Sequence, residues 1–386
     1  MSYGSLSVFY PWLVAVVLGE TPERIGIAVT AVMAPAMLFM LWGGAIADRL
    51  DGRRLLIGYV GLAALVPAAL AVAMAFGAAT FPIVLAYGFV FGSLAAFIVP
   101  TQDTLLSHLV SADVPRRVAM ATTLQFGWRL IGVALAGLAG TVGAVVLLWG
   151  QAAALALGAL TAVCLPRAGA ARHRPAGGRP RLLAGLGEAA ADARILPVLA
   201  ANAAVGVLYV GAFLVIAPLL VRDVFRGGSG ELALVNLSFF GGTVASTMAQ
   251  IRLRPLARPG RAIVGALTGG AFVLAAMAWA PSLGALCVLC LVWGVGAGIA
   301  MTQSRIVIQT AAPVSHRARL LAALQLGLTG GGPLGALVTG YVAGRVGPRQ
   351  AVLYPAAVML AVIGGLLATT RVWSQTPGGT TLSTRP

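Results

Sequence analysis

Charged residues that could do chemistry are rare in this sequence and are crowded into a few places. Only 9% of the 386 residues are charged, yet five of the seven positions from Asp48 to Arg54, in GGAIADRLDGRR, carry a charge. An Asp at the end of an apolar helix can accept hydrogen bonds from the positive N-terminus of a neighbouring helix. The alternative is a loop whose arginines only orient the chain in a membrane.

A second charge, Arg129, lies halfway along the apolar run LQFGWRLIGVALAG. A charge at that depth in a bilayer is costly and normally faces a cavity or a partner. Helical spacing places Gln125, Arg129 and Gly132 on one face. We interpret Arg129 as a substrate or coupling residue. The alternative is a structural partner for backbone carbonyls or for an acid on a neighbouring helix.

Other polar side chains inside apolar runs could jointly line a wide, moderately polar cavity. Each alone is more often an interhelical hydrogen bond than a ligand contact. These candidates are Gln102, Asn202, Tyr209, Asn236, Gln303 and Gln325. No carboxylate lies in the middle of an apolar run. Asp103 comes at the end of its run, where pairing with a loop arginine is the simpler explanation for its presence.

Metal, enzyme and nucleic-acid chemistry find little support in the sequence. Cys287 and Cys290 form a C-x-x-C pair inside an apolar run with no other soft ligand near it, so we expect helix packing there. The three histidines do not cluster, and no nucleophile–base arrangement is visible. The net charge of +16 comes from short arginine clusters, without a basic face carrying aromatics. We expect no metal, no cofactor, no enzymatic activity and no nucleic-acid partner.

The elements that must position these residues are twelve apolar runs. A composition of 59% hydrophobic residues exceeds what a soluble core uses, so the lipid bilayer is the expected solvent. The predicted helices lie near 3–18, 25–47, 55–76, 82–102, 118–140, 142–165, 195–220, 232–250, 262–280, 282–304, 319–343 and 350–370. The first run would span only about 24 Å of a hydrocarbon core about 30 Å thick, so we expect its helix to begin upstream of Met1.

Arginine counts predict the orientation of the chain. Five arginines lie in the odd-to-even connections, against 20 in the even-to-odd connections and the C-terminal tail, so the latter side is expected to be cytoplasmic. Residues 167–194 are the one long polar connection, and we expect a surface helix within it near 182–193. We therefore predict two six-helix bundles, 1–166 and 195–372, a cytoplasmic linker at 167–194 and a cytoplasmic tail at 373–386.

The two predicted halves resemble each other in sequence. Thr101 and Gln102 recur 201 positions later, and five further residues recur 200 positions later. The five pairs are Arg117 and Arg317, Leu124 and Leu324, Gln125 and Gln325, Gly132 and Gly332, and Gly140 and Gly340. Tandem six-helix halves are typical of secondary transporters, whose substrate site lies between the halves near the bilayer midplane.

The charged stretch between the second and third runs resembles the signature loop of the major facilitator superfamily. The matching residues are Gly44, Asp48, Arg49, Arg53 and Arg54; Asp51 stands where a glycine is usual and Gly52 where the first basic residue is usual. The resemblance implies a major facilitator fold, an all-α integral membrane protein of two pseudo-symmetric six-helix bundles. It also implies that Asp48 latches onto helix eleven, near Arg319, on the cytoplasmic side in the outward-facing state. The equivalent second-half loop, 250–261, keeps positive charge but lacks the Asp-Arg pair.

The run from Trp128 to Gly137 is similar to helix five of the family's efflux branch, which includes relatives of siderophore exporters. That branch usually carries Gly-Pro where this chain has Gly132-Val133, whereas the second half does carry Gly332 and Pro333, and Thr329 is the counterpart of Arg129. We expect five residues to lie where helices pack against each other: Gly132, Gly140, Gly332, Pro333 and Gly340.

The expected function is therefore export of a small neutral or anionic organic molecule, such as a siderophore-like compound or an antibiotic, from a bacterial inner membrane. We expect a monomer that couples transport to protons. The coupling acid could lie upstream of Met1 or be Asp48 or Asp103, or the driving force could be another one. The alternatives are an uptake permease for a carboxylate nutrient and a non-transporting membrane sensor on the same fold.

Overall fold

The described part of the chain consists almost entirely of apolar helices. A computed structural model describes residues 2–47, 51–108, 127–164, 195–252, 258–312 and 317–370. Within these ranges twelve apolar helices are present, which confirms the predicted all-α membrane fold. They are α1 (Ser2–Trp12, continued by a π-helical turn at Leu13–Val17), α2 (Pro22–Ala47), α3 (Gly52–Ala75), α4 (Phe81–His108), α5 (Gly127–Gly137), α6 (Ala144–Val163), α7 (Ile195–Val224), α8 (Ser229–Arg252), α9 (Pro259–Met277), α10 (Leu283–Ala311), α11 (Arg317–Val346) and α12 (Leu353–Thr369).

The observed helix lengths suit a bilayer. Ten helices of the described ranges carry an apolar stretch long enough to cross a membrane, and the described parts of α1 and α5 are shorter. The tight break that the sequence predicts between α5 and α6 falls at Gly143, whose φ of 90° favours glycine. Several helices run past their predicted ends; α10, for example, continues to Ala311. Apolarity marks the membrane-embedded part of a helix, and a helix can continue beyond the bilayer.

Two helices that correspond in the repeat end in the same unusual way. Both α1 and α7 finish in a π-helical turn, at Leu13–Val17 and Leu220–Val224. The backbone hydrogen bonds that close the two turns match at an offset of 207 positions. They run from Leu18 N to Leu13 O and from Phe225 N to Leu220 O, then from Glu20 N to Val14 O and from Gly227 N to Val221 O. The repeat is therefore visible in backbone geometry where side chains do not show it.

The chain divides into two compact units. The first contains Met1–Gly177, Phe213–Leu237 and Ala336–Arg345, and the second contains Gly178–Ala212, Ser238–Gly335 and Val346–Pro386. Helices α7, α8 and α11 thus contribute segments to both units. The division into 1–166, 167–194, 195–372 and 373–386 follows the sequence repeat instead and stays a prediction; residues 167–194 and 373–386 lie outside the described residues.

Glycines at helix crossings set the packing in each unit. In the first unit a Cβ at Gly92 of α4 would lie 2.1 Å from the carbonyl oxygen of Val32 in α2. In the second unit a Cβ at Gly294 of α10 would lie 2.0 Å from that of Phe239 in α8. Small residues let membrane helices approach this closely, and here they do so at corresponding crossings of the two halves.

Substitution of Gly294 by alanine tests the backbone contact at its crossing. We expect Gly294→Ala to lower the free energy of unfolding by about 1–3 kcal/mol, because its methyl group overlaps a backbone oxygen that cannot turn away. The thermal unfolding midpoint of the purified protein in detergent measures this effect.

Gly269 provides the matched control, since no atom lies within 4 Å of a Cβ there. Gly269→Ala should leave the midpoint unchanged or raise it, because alanine has the higher helix propensity. Equal losses for both variants would contradict a specific role for the crossing.

Candidate functional site

The described part of the signature stretch is built around Asp51. Asp51 precedes α3 in an extended conformation, and its Oδ1 accepts a hydrogen bond of 3.0 Å from the backbone N–H of Arg53. The carboxylate also lies 3.6 Å from the guanidinium of Arg54, which is exposed. Asp51 is therefore the N-cap of α3. Sequence reasoning noted it only as a departure from the family pattern, although an Asp directly before an apolar run is an N-cap signal.

Arg53 joins α3 to α6. Its guanidinium donates hydrogen bonds to the carbonyl oxygens of Ala162, at 3.4 Å, and of Val163. These carbonyls belong to the last turn of α6, where the helix dipole is negative and a cation is favoured. Gly44 lies in α2, whereas Asp48 and Arg49 lie outside the described residues. The predicted latch of Asp48 therefore stays a prediction.

Arg129 lies on α5 and beside α1. The end of α5 at Gly137 follows eight residues later, which is about 12 Å of helix. A Cβ at Gly4 would lie 2.0 Å from the carbonyl oxygen of Arg129, so α1 crosses α5 at this residue. Gly132, on the next turn of α5, is buried, whereas Gln125 lies outside the described residues. The structure thus describes two of the three residues on the predicted face.

Three of the polar candidates in the second unit form hydrogen bonds between helices. Asn202 Nδ2 of α7 donates to the carbonyl oxygen of Leu324 in α11 at 2.8 Å. Tyr209 OH of α7 donates to that of Leu267 in α9 at 2.6 Å. Gln303 Nε2 of α10 donates to Gln250 Oε1 of α8 at 2.8 Å. These contacts are the structural alternative foreseen for such residues.

The remaining polar candidates differ in burial. Asn236 of α8 is buried; its Nδ2 donates to the carbonyl oxygen of Leu232 at 2.9 Å, and its Oδ1 has no hydrogen-bond partner among the described residues. Gln325 is half-buried on α11, and Gln102 is exposed on α4. Asp103 follows Gln102 on α4, but its side chain lies outside the described part.

Tyr209 lies in a locally distorted part of α7. Residues Gly206–Val210 form a π-helical turn, a feature often found at functional sites. The Tyr209 ring meets the Trp293 ring edge-on, with centroids 5.4 Å apart. A Cβ at Gly335 of α11 would lie 1.8 Å from the carbonyl oxygen of Val207, so α11 presses its backbone onto the same turn. Gly332 and Pro333 are buried in α11 just before this contact.

Gly140 and Gly340 make corresponding contacts within the first unit. The N–H of Gly140 donates to Ser229 Oγ at 2.7 Å, and this hydroxyl donates to the carbonyl oxygen of Gly137 at 2.8 Å. A Cβ at Gly340 would lie 2.7 Å from the carbonyl oxygen of Pro22. Gly140 and Gly340 differ by 200 positions, and Pro22 and Ser229 by 207. The crossing of α5 with α8 therefore corresponds to that of α11 with α2.

Sequence reasoning missed a buried polar group in the first unit. Tyr87 OH of α4 donates to Gln151 Oε1 of α6 at 3.2 Å, and the rings of Tyr10 and Tyr87 lie 5.9 Å apart. Gln151 Nε2 is buried with no hydrogen-bond partner among the described residues. The presence of Gln151 inside the sixth apolar run could have indicated this buried polar group. In the described part of the chain no cluster of three or more metal-ligating side chains occurs.

The described ranges hold twelve apolar helices, which define a multi-pass membrane protein. The sequence profile of the Major Facilitator Superfamily matches residues 1–336, and the chain belongs to this family. No curated protein matches the chain.

Solved transporter structures share the fold at low sequence identity. A mutant of the nucleoside transporter NupG is 14% identical, with a TM-score of 0.76 and coverage of 95% of this chain and 96% of that one. A bacterial homologue of the human lysosomal transporter Spinster, in an inward-facing and unoccupied conformation, is 13% identical, with a TM-score of 0.69 and coverage of 97% and 95%. A POT family transporter in complex with 5-aminolevulinic acid is 11% identical, with a TM-score of 0.71 and coverage of 97% and 94%.

The cap of α3 yields a stability prediction. Asp51→Ala should lower the free energy of unfolding by about 1 kcal/mol, because the N–H of Arg53 loses its acceptor. Asp51→Asn should stay close to the wild type, since asparagine caps helices as well and the exposed ion pair with Arg54 contributes little. Thermal unfolding midpoints compare the variants. An equal loss in both would assign the effect to charge instead of the cap.

Proposed function

We propose that this protein exports a small neutral or anionic organic molecule across a bacterial inner membrane by alternating access, in exchange for protons. The observation that carries the proposal is Arg129, a cation halfway along the fifth apolar run, where α1 crosses α5. The sequence places no carboxylate at the same depth. In a low-dielectric setting, a fixed cation attracts anions and repels lipophilic cations far more strongly than in water.

The chemistry of the guanidinium supports the substrate class. Arginine pairs with carboxylate and phosphate groups through two parallel hydrogen bonds and stays charged at any physiological pH. A siderophore-like compound or another acidic metabolite fits this preference, and a neutral antibiotic comes next. The similarity of the run around Arg129 to the efflux branch favours export. We propose Arg129 as the substrate or coupling residue, with Gln125, Gln102, Asn202, Tyr209, Asn236, Gln303 and Gln325 as secondary candidates.

Orientation and coupling complete the proposal. The arginine-rich connections and the C-terminus lie in the cytoplasm, as the positive-inside bias predicts. Asp48 latches the cytoplasmic side, and Asp103 near the end of α4 is a candidate proton acceptor. The protein acts as a monomer. An uptake permease for a carboxylate would use the same arginine, so transport direction must be measured separately from substrate charge.

Vesicles of opposite orientation test direction and charge preference together. The probes are fluorescein as an anion, chloramphenicol as a neutral solute and ethidium as a cation. Everted vesicles with an imposed inward-acidic gradient should accumulate fluorescein or chloramphenicol but not ethidium, and a protonophore should abolish the accumulation. Accumulation only in right-side-out vesicles would favour uptake. Transport of ethidium alone would contradict the assigned substrate class.

Variants of Arg129 test the residue itself. Arg129→Gln should reduce anion transport at least about tenfold, because one lost charge-assisted contact corresponds to about 1.5–3 kcal/mol. Arg129→Lys should retain part of the rate, since it keeps the charge but not the planar fork. Arg305, an exposed arginine on α10, provides the matched control Arg305→Gln. Equal rates for both glutamine variants would remove Arg129 from the site.

A further inference from the structure

Arg222 joins the ends of two helices in the first unit. It lies in the final π-helical turn of α7, and its side chain is 21% exposed. Its Nη1 donates to the carbonyl oxygen of Ala15 at 2.9 Å and to that of Glu20 at 2.7 Å. Ala15 lies in the last turn of α1, and Glu20 follows that turn by three residues. One guanidinium nitrogen therefore ties α7 to α1.

The contact is favourable for electrostatic reasons. The last carbonyls of a helix lack intrahelical donors and carry the negative end of the helix dipole, so a cation placed there is stabilised. The other side of the guanidinium donates from Nε and Nη2 to the carboxylate of Asp223. This bidentate pair holds the planar group in one orientation, with Nη1 turned towards α1.

Arg222 also has a special place in the repeat. The turns that end α1 and α7 match at an offset of 207 positions, so Arg222 corresponds to Ala15, the residue whose carbonyl it contacts. A residue that meets its own counterpart lies beside the axis relating the two halves. The corresponding contacts of Gly140 with Ser229 and of Gly340 with Pro22 lie in the same unit. Together they hold α1, α2, α5, α7, α8 and α11 at the arginine-poor end.

We propose that Arg222 is a positioning residue that clamps α1 to α7 and holds the extracytoplasmic end of the transporter closed. Opening this end requires the guanidinium to leave the carbonyls of Ala15 and Glu20. The strength of the contact then sets the fraction of molecules open to the outside. The inference rests on the proposed transport cycle, but its test reads conformation directly and needs no substrate.

A single cysteine reports the opening. Ala233 of α8 is 4% exposed and faces Gly137 at the crossing of α5 with α8. The reporter Ala233→Cys is placed in a background carrying Cys164→Ala, Cys287→Ala and Cys290→Ala. Its reaction with a membrane-impermeant maleimide is followed in right-side-out vesicles. Arg222→Gln should speed labelling about tenfold, since loss of charge-assisted bonds corresponds to at least about 1.4 kcal/mol.

Arg226, exposed and four residues later, supplies the control for lost charge. Arg226→Gln should leave the labelling rate unchanged, and Arg222→Lys should raise it about threefold because the fork is lost but the charge remains. Equal rates for Arg222→Gln and Arg226→Gln would overturn the clamp. A rise seen only in everted vesicles would support the clamp and contradict the proposed orientation of the chain.

Unfolding is recognised with a second reporter. Ser304 is 3% exposed on α10, in the other unit, and Ser304→Cys should stay unreactive in every folded variant. If Arg222→Gln makes the Ser304→Cys reporter reactive, that variant has unfolded. The Arg222→Lys variant then tests whether Arg222 clamps α1 to α7. A wild-type labelling rate for Arg222→Lys at the Ala233 reporter would in that case overturn the proposal.

Discussion

Close approach between helix backbones is the interaction on which the rest of this structure depends. Apolar side chains gain nothing by leaving lipid for another helix, so association relies on tight packing and hydrogen bonds. Glycine supplies the tight packing: Gly92 meets Val32 O, Gly294 meets Phe239 O, and Gly4 meets the carbonyl of Arg129 itself. The position of Arg129 on α5 is thus coupled to its backbone contact with α1. Loss of such a crossing would move the charge as well as the helix.

Much of the fold could be predicted from the sequence, because a bilayer selects for length and apolarity and both are one-dimensional properties. In the described ranges each of the twelve runs coincides with a helix, and the break at Gly143 could be placed within a few residues. Hydrogen-bond partners could not be predicted in the same way. Arg53 reaches the carbonyls of α6, more than a hundred residues away, and Tyr87 finds Gln151. Neither pair produces a periodic pattern in the sequence, because each depends on which helices become neighbours in the fold.

The repeat was only partly visible in sequence for a related reason. The offset between corresponding residues is 207 for Val32 and Phe239, 202 for Gly92 and Gly294, and 200 for Gly140 and Gly340. The second half is therefore shorter between α8 and α11 than the first is between α2 and α5. A comparison of the two half-sequences at one fixed offset fails to pair corresponding residues wherever one half is shorter. Backbone contacts still identify corresponding residues, since a helix crossing needs only a small residue and a facing carbonyl and tolerates many side chains elsewhere.

The pairing of Arg222 with Ala15 carries a consequence for how such a chain can arise. Two identical halves would place the same residue twice beside one axis, and two guanidinium groups there would repel each other and compete for the same carbonyls. A contact between a donor and its own counterpart therefore favours halves that differ at this position. Here one half carries Ala15, which offers only its backbone carbonyl, and the other carries the long cation Arg222. Beside the axis, the similarity of the two halves thus favours different residues at the corresponding positions 15 and 222.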